Sequence, residues 1–481
     1  MYRYIKYLFV LCALSVFVAS CSDDTDFSSN PDLRLSFSSD TISFDTLFTE
    51  TGSPTSSFLA FNRSGSSLKI SDVRLGGGSS SPFRVNVDGQ HGYDIRDVDV
   101  RSKDSIFIFV NVALDRNDDD LPLMVSDSLV FTLESGVVQQ VQLVACGRNA
   151  ERLRGVCFEA DTVLSPISYI VYDSLVVAPG ASLTLPAGCE LYFHAGAGVQ
   201  VYGSLKALGT KDSPVLFRGD RTDNLLDYLP YDRVPGQWKG ITFHAESNSN
   251  ILDWCDIHSA DYGVHIVSGD TTVQRLNLVN SKLCNFSGNA LESENATMTV
   301  ENSLVANAGG NCVKVVGGSV QFVHCTIANF YVWKQRDVAL ALHNTLQGTV
   351  APLRKALFAN CIITGSKNDE IMGYFYELGD TMPNAANYRF VSSLLNTRAA
   401  EDDTNFVDII WDEKDVYPFA KEHFALIDNS VYKYDFHLDS LSTARGIASK
   451  EYSQSFSLDL DCMARPIESA DAGCYIYTSR P

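Results

Sequence analysis

Basic residues are scarce in this chain, which has 37 Lys and Arg against 58 Asp and Glu over 481 residues and a net charge of -21. A surface this acidic repels a phosphate backbone, so nucleic acid is excluded as the expected partner. Disorder of the whole chain is excluded as well, because 45% of the residues are hydrophobic and the length is enough for more than one core.

Cysteine motifs that bind metals are missing too. The chain has 12 cysteines, yet none form a C-x-x-C pair, and no group of Cys and His has the spacing of a zinc site. We therefore expect neither a metal nor a cofactor.

Long apolar runs are also missing after the first twenty residues, so we expect no segment of the mature chain to span a bilayer. The apolar run over residues 7–18 follows Arg3 and Lys6 and is too short to cross a membrane. This layout is typical of a secretory leader, and residues 1–20 are interpreted as a signal peptide.

The segment VASC (18–21) resembles the bacterial lipobox, in which cleavage precedes a cysteine that receives a diacylglyceryl group. The resemblance implies that Cys21 is the lipid-attachment site and that residues 21–31 form a lipidated acidic linker. The acids at 22–26 resemble the export signal of Bacteroidetes surface lipoproteins. The expected location is therefore the outer membrane, lipid-anchored and facing the cell exterior, although a solvated linker would also fit the acids.

Residues 32–150 carry apolar side chains at every second position, as in Ile106, Ile108, Val110 and Val112. Period two indicates strands with one buried face, and about seven or eight such runs separated by turn clusters predict a β-sandwich. The stretch FLAFNRSGSSLKISDVRL resembles the Hydin-type immunoglobulin-like domains of bacterial surface proteins. This resemblance implies an immunoglobulin-like fold.

Residues 151–481 repeat a different unit, a short apolar strand followed by a small polar turn, as in WCDIHSA, NSKLCNF, ENSLVAN, HCTIANF and NCIITGS. Spacings of 21 to 36 residues indicate a solenoid in which like residues of stacked coils form interior ladders. Gly263, Gly288 and Gly310 are expected at corners with positive φ. The predicted ladder of central aliphatic residues is Ile257, Leu283, Leu304, Ile327, Ile363 and Leu394.

Two segments resemble bacterial right-handed parallel β-helix proteins of the pectate lyase-like fold. They are the opening SLTLPAGCELYFHAGAGVQVYGSLKALGTKDSPVLFRGDR and the closing LDLDCMARPIESADAGCYIY, which matches much of a D-x-D-G-x-x-R-P … D-I-G-A-Y pattern. The predicted fold class is all-β, with an N-terminal β-sandwich followed by a right-handed parallel β-helix. In the closing pattern Cys462 replaces glycine and Cys474 replaces alanine. This paired replacement suggests a disulfide, with two independent buried thiols as the alternative.

The known enzymes of this fold use carboxylates or bound Ca²⁺ on an outer sheet, but their N-T-D, G-H-G and R-x-P-x-x-R signatures are absent or incomplete here. Asp256 and His258 alternate with Cys255 and Ile257, which are expected to face inward, so both should point outward. Lys282 follows in the next coil at the register of Asp256. Either an acid/base pair or an ordinary surface ion pair fits this arrangement, and no catalytic residue is assigned.

The loop GDRTDNLLDYLPYDRVPGQW (219–238) combines aromatic rings with carboxylates and arginines. Such a mixture suits sugars, because a ring can stack on a pyranose while polar groups bind its hydroxyls. A structural cap over the edge of a coil is the alternative. The candidate glycan contacts are Asp220, Arg221, Asp223, Tyr228, Tyr231 and Trp238.

Three functions fit these observations. The first is a non-catalytic surface module for binding or adhesion, with polysaccharide as the expected ligand. The second is a polysaccharide lyase or glycoside hydrolase, and the third is a structural subunit of an outer-membrane assembly. An exposed aromatic strip would favour the binding module, and a cluster of outward acids with Lys or Arg would favour the enzyme. A broad exposed apolar patch would favour the structural subunit.

Overall fold

A computed structural model describes residues 26–116, 123–226, 228–376, 385–400, 402–466 and 468–479. The predicted signal peptide, Cys21 and the first half of the acidic linker lie outside these ranges. The chain divides into two compact units, 1–149 and 150–481, one residue from the predicted boundary. No helix among the described residues is long and apolar enough to cross a bilayer.

The first unit consists of two sheets around one apolar core, which confirms the predicted β-sandwich. Side chains at alternate positions, such as Ile108 and Val110, are fully buried. One sheet has the strand order Ser36–Phe37, Ser56–Phe61, Ser105–Val112, Phe83–Val87 and Gln90–Gly92. The other has the order Thr41–Phe48, Val138–Arg148, Leu123–Leu133, Leu68–Leu75 and Asp94–Val100, and a 3₁₀ turn spans Gly78–Ser80.

The second unit is a parallel β-helix, in which successive coils add strands to three parallel sheets. Sheet 1 contains Glu151–Arg154, Ser168–Tyr172, Glu190–Phe193, Val215–Gly219, Cys255–His258, Lys282–Phe286, Leu304–Ala308, Thr326–Asn329, Ile362–Gly365, Leu394–Leu395 and Ile410–Trp411. Sheet 2 contains Cys157–Phe158, Ser174–Val177, Gly198–Val201, Ile241–Phe243, Val264–Ile266, Leu291–Glu294, Val313–Val316, Leu340–His343 and Ile371–Tyr374. Sheet 3 contains Thr162–Val163, Ser182–Pro186, Ser204–Leu208, Asn250–Asp253, Gln274–Val279, Thr297–Glu301, Gly318–Val323, Leu353–Ala359, Ala386–Val391 and Phe406–Val407.

Smaller elements decorate the coils. Antiparallel hairpins pair Asn224–Leu226 with Leu229–Pro230, Thr345–Leu346 with Thr349–Val350, and Phe424–Asp428 with Lys433–Leu438. One-turn helices span Tyr231–Arg233, Ala420–His423 and Lys450–Ser453.

Like residues stack in the interior of the β-helix, as the repeat predicts. The rings of Phe322, Phe358, Phe390 and Phe406 follow one another with centroids 4.8, 5.0 and 5.1 Å apart. The thiols of Cys255, Cys325 and Cys361 are buried in a ladder that also contains the buried serines Ser281, Ser303 and Ser393. Stacking of this kind removes nearly all apolar surface of each coil from water, so each coil depends on its neighbours for stability.

The predicted ladder is wrong by one residue at two coils. Strand pairing aligns Leu283 with Val305, so Val305 and not Leu304 occupies the interior position. Leu394 is displaced in the same way, because the next residue, Leu395, aligns with the ladder. Leu304 points to the outer face of sheet 1 yet is only 5% exposed, because the C-terminal segment covers it. A strand buried on both faces loses the alternation that would reveal its register.

The glycines expected at corners serve another purpose. Gly263, Gly288 and Gly310 do not have positive φ. A Cβ on Gly263 would lie 2.2 Å from the Ala290 carbonyl oxygen, so the neighbouring coil requires the missing side chain. Positive φ occurs instead where the chain passes from sheet 3 to sheet 1, at Trp254, Asn280, Asn302, His324, Asn360 and Ser392.

The closing segment folds over sheet 1 without the predicted disulfide. Cys462 and Cys474 are both free thiols. The Cys474 Sγ is buried 3.3 Å from Thr326 Oγ1 on sheet 1, so packing on the coil holds it. Cys462 has a φ of 59°, which explains why glycine suits this position in the related pattern. Packing on the coil therefore accounts for Cys474, while nothing in the structure explains the cysteine at 462.

Candidate functional site

A cleft of about 340 Å³ opens on the outer face of sheet 1. The floor comes from three consecutive strands of the sheet, and the walls come from the turn at 231–233, the hairpin at 424–438 and the closing segment. Its lining residues are Asp232, Arg233, Asp256, His258, Lys282, Cys284, Asn285, Leu304, Asn307, Tyr432, Tyr434, Asp435, Phe436, His437 and Tyr475.

Strand alternation sets the polar floor of the cleft. Cys255 and Ile257 are buried in the β-helix interior, so Asp256 and His258 both project from the outer face, as predicted. Lys282 pairs with Asp256 in the register of the next coil, also as predicted. The sequence of one strand and the coil repeat together account for this part of the site.

His258 bridges two carboxylates at the edge of the cleft. Its Nδ1 lies 2.9 Å from Asp256 Oδ1, and its Nε2 lies 2.8 Å from Asp232 Oδ1. Arg218 approaches the same oxygen of Asp232 at 2.6 Å. Burial alone would lower the pKa of His258, but the two carboxylates raise it to about 9, so the ring is an imidazolium at neutral pH.

The carboxylates of this bridge are held in the ionised form. Burial opposes ionisation of Asp232, but His258 and Arg218 lower its pKa to about 2. The pKa of Asp256 is also lowered in spite of burial, because His258 and Lys282 stabilise the anion. Both carboxylates therefore lie among positive charges, which come from His258, Arg218 and Lys282.

A second bridge of the same kind lies where the hairpin at 424–438 lines the cleft. His437 Nδ1 is 2.6 Å from Asp435 Oδ1, and its Nε2 is 2.7 Å from Asp461 Oδ2. The imidazole stacks on the Tyr475 ring with centroids 4.0 Å apart. Our sequence analysis missed this group, although Asp435-Phe436-His437 repeats the Asp-x-His pattern of residues 256–258 and could have indicated it.

Aromatic and amide side chains complete the cleft. Tyr432 lines it and stacks on Trp333 with centroids 4.3 Å apart, which fixes the orientation of the tyrosine ring. Asn285 and Asn307 line the same cleft, where the Asn307 Oδ1 already accepts a hydrogen bond from the Phe330 N–H. Neutral donors and acceptors next to aromatic faces suit a polyhydroxylated ligand.

The predicted glycan contacts do not form one surface patch. Trp238 is wrong as a contact, because it is 1% exposed and stacks on Phe193 inside the β-helix with centroids 4.3 Å apart. Its Nε1 donates a hydrogen bond of 2.8 Å to the His258 carbonyl, so it supports the floor of the cleft from within. Trp238 therefore has a structural role, but it lies in the interior of the β-helix and not as a cap over the edge of a coil.

The other loop candidates are at the surface. Asp220 lies 2.7 Å from His194 Nδ1, and Arg221 pairs with Asp223 at 2.6 Å. The Arg221 guanidinium lies 4.0 Å from the centre of the Tyr231 ring, while Tyr228 is 51% exposed. The loop reaches the cleft through the next two residues, Asp232 and Arg233.

The pKa shifts around His258 bear on whether its two flanking carboxylates could act as the general acid of a glycoside hydrolase. Hydrolysis by the usual two-carboxylate route needs one carboxylic acid whose pKa is raised enough to keep its proton near neutrality. The pKa values of Asp232 and Asp256 are lowered instead. The protonated ring of His258 has both nitrogens directed at carboxylates, so neither N–H is free to serve a leaving group.

No family model matches the chain. A stretch of 69 residues is 32% identical to the protein bark beetle of Drosophila melanogaster, a stretch that covers 14% of this chain and 2% of that protein.

Three solved structures show low similarity. The catalytic unit of a thermostable GH87 α-1,3-glucanase from Streptomyces thermodiastaticus strain HF3-3 is 9% identical, with 74% of this chain and 81% of that chain covered and a TM-score of 0.26. A family 28 exopolygalacturonase of Yersinia enterocolitica is 9% identical with the same coverage and a TM-score of 0.20. PapD-like domain 7 of human CEP192 is 12% identical over 27% of this chain and 94% of that domain, with a TM-score of 0.16. Similarities this low carry no inference about activity.

Proposed function

We propose that the protein is a lipid-anchored surface module that binds polysaccharide without cleaving it, and that the cleft on sheet 1 is the binding site. One observation carries this proposal. The cleft combines aromatic rings and amides with carboxylates that are already ion-paired to a histidine. Tyr432 supplies a ring held in place by Trp333, and Asn285 and Asn307 supply hydrogen-bonding groups in the same cleft. A sugar needs both kinds of contact.

Paired charges favour binding for a physical reason. Asp232 and Asp256 can accept hydrogen bonds from sugar hydroxyls through the oxygens that do not face His258. Their two negative charges are already compensated by the imidazolium together with Arg218 and Lys282, so a neutral ligand does not have to leave a charge unpaired. The anchor at Cys21 and the outer-membrane location remain part of the proposal.

The test incubates the purified chain with a panel of acidic and neutral polysaccharides, with and without Ca²⁺. Gel retardation measures binding, while reducing ends and unsaturated-product absorbance measure cleavage. We expect retardation by at least one polysaccharide with no new ends. New ends or unsaturated product would overturn the proposal and favour a hydrolase or lyase, and the absence of all three signals would overturn it in favour of a protein partner.

A further inference from the structure

The outer face of sheet 2 holds a second cluster, made of His265, Glu292 and Glu294. His265 and Glu292 are directly paired on neighbouring strands, and Glu294 lies two residues further along the second strand. Period two therefore puts all three side chains on the same face of the sheet. Strands position such groups more rigidly than loops do.

The three side chains converge on one point. One ligand atom from each residue lies within 4.8 Å of the other two. The side chains of His265 and Glu294 are 30% and 17% exposed, and that of Glu292 is 18% exposed, so the cluster is recessed but reachable from solvent.

The His265 Nε2 lacks the hydrogen bond expected of a buried ring nitrogen. This atom is shielded from solvent and lies 3.3 Å from Glu294 Oε1, yet it makes no hydrogen bond within the part of the chain that the structure describes. Leaving a buried polar atom without a hydrogen bond costs free energy. A metal ion shared by His265, Glu292 and Glu294 would satisfy the His265 Nε2.

The Glu292 carboxylate has partners that bear on this interpretation. Lys314 Nζ lies 2.8 Å from Oε1, and Asn289 Nδ2 donates a hydrogen bond of 2.8 Å to Oε2. Burial alone would raise the pKa of Glu292, but these two bonds lower it, so the group is an anion. The Asn289 amide can orient the Glu292 carboxylate as an outer-shell partner of the metal would. The Lys314 ammonium instead contacts Oε1, an oxygen that a metal ion would bind.

We propose that His265, Glu292 and Glu294 bind a divalent transition metal of the Zn²⁺ class, with Lys314 as a resident competitor. One imidazole and two carboxylates are ligands that Zn²⁺ accepts, and three protein ligands leave a fourth position open. In tetrahedral geometry the ligand atoms would lie about 3.4 Å apart. His265 Nε2 and Glu294 Oε1 are already 3.3 Å apart, and no pair of ligand atoms is separated by more than 4.8 Å, so side-chain rotation could complete the site. Analysis of the sequence predicted no metal, because His265 and the two glutamates belong to different coils and have no motif spacing.

The experiment titrates the full chain with Zn²⁺ by calorimetry and with Co²⁺ by visible absorption. Co²⁺ bound to nitrogen and oxygen ligands gives d–d bands without the charge-transfer bands of thiolates, so the free cysteines can be distinguished as a source. The variants are His265→Ala, Glu294→Gln and Lys314→Met. The matched control is His194→Ala, at a histidine that directly follows the sheet 1 strand Glu190–Phe193.

The expected result is saturable binding of one ion. Mutation of outer-shell partners typically weakens metal affinity about tenfold to 100-fold. Because His265 and Glu294 are proposed as direct ligands, the loss of either should weaken Zn²⁺ binding by at least that factor. Lys314→Met should tighten binding, since a competing cation is removed, and His194→Ala should leave it unchanged.

Three results would overturn the proposal. They are no binding by the wild type, unchanged binding by His265→Ala, and Co²⁺ spectra dominated by thiolate bands. Weaker binding by Lys314→Met would contradict the role of Lys314 as a competitor, because removal of a competing cation should tighten metal binding. These readouts do not involve polysaccharide, so failure here is independent of the proposed glycan site.

Discussion

The bridge at His258 makes the stability of the β-helix depend on pH in a direction that can be calculated. The pKa of His258 is raised from 6.5 to about 9 in the folded chain. A group whose pKa is raised by folding contributes its full stabilisation below the unfolded pKa, and that contribution is lost as the pH rises through the folded value. The window is therefore pH 6.5 to about 9.

The magnitude follows from the shift. At 1.36 kcal/mol per pKa unit, the bridge contributes about 3 kcal/mol at low pH. The His258 side chain is 11% exposed, so screening by water reduces this figure little. We expect the stability difference between the wild type and His258→Gln to be largest at pH 6 and to shrink by about 3 kcal/mol at pH 9.5.

Denaturant unfolding followed by tryptophan fluorescence measures this difference. All four tryptophans, at 238, 254, 333 and 411, belong to the second unit, so the signal reports the β-helix alone. Other groups that titrate over this range do so in both proteins and cancel in the comparison. A difference that stays constant from pH 6 to 9.5 would refute the reasoning, because it would mean that the two carboxylates do not hold the proton on His258.

Three further predictions concern single residues. Trp238→Ala should destabilise the β-helix by about 3–5 kcal/mol, because a fully buried ring and its hydrogen bond are lost, and a denaturation curve checks this. The unfolded, unreduced protein should titrate both Cys462 and Cys474 with a thiol reagent, and protection of the pair would restore the disulfide hypothesis. Cys21→Ser should move the protein from the membrane fraction to the soluble fraction and abolish incorporation of labelled fatty acid, and retention in the membrane would contradict a lipid anchor.

Local patterns were enough to predict most of the fold. Alternation of Ile108 and Val110 on one strand, and of Cys255 and Ile257 on another, is confirmed by their burial. The prediction failed at Leu304, where the strand is covered on both faces and alternation carries no information about register. The handedness of the β-helix remains a prediction.

The candidate site was only partly predictable for a related reason. Asp256, His258 and Lys282 follow from one strand and the coil repeat. Asp232 reaches His258 from a loop, and His437 arrives on a hairpin that packs against sheet 1 from far along the chain. No local period encodes contacts of this kind, because they depend on how the closing segment folds back on the coils.

The measurement that tests the central claim most directly is calorimetry with an oligosaccharide taken from a polysaccharide that retards the chain in the gel. It compares the affinity of three proteins for that oligosaccharide. They are the wild type, Tyr432→Ala in the cleft, and Tyr228→Ala, an exposed tyrosine in the loop at 219–238. Loss of the stacking ring should weaken binding by about tenfold, or about 1.4 kcal/mol, while the loop variant should bind as the wild type does. Unchanged affinity in Tyr432→Ala together with weaker binding in Tyr228→Ala would contradict the assignment of the cleft and transfer the site to the loop.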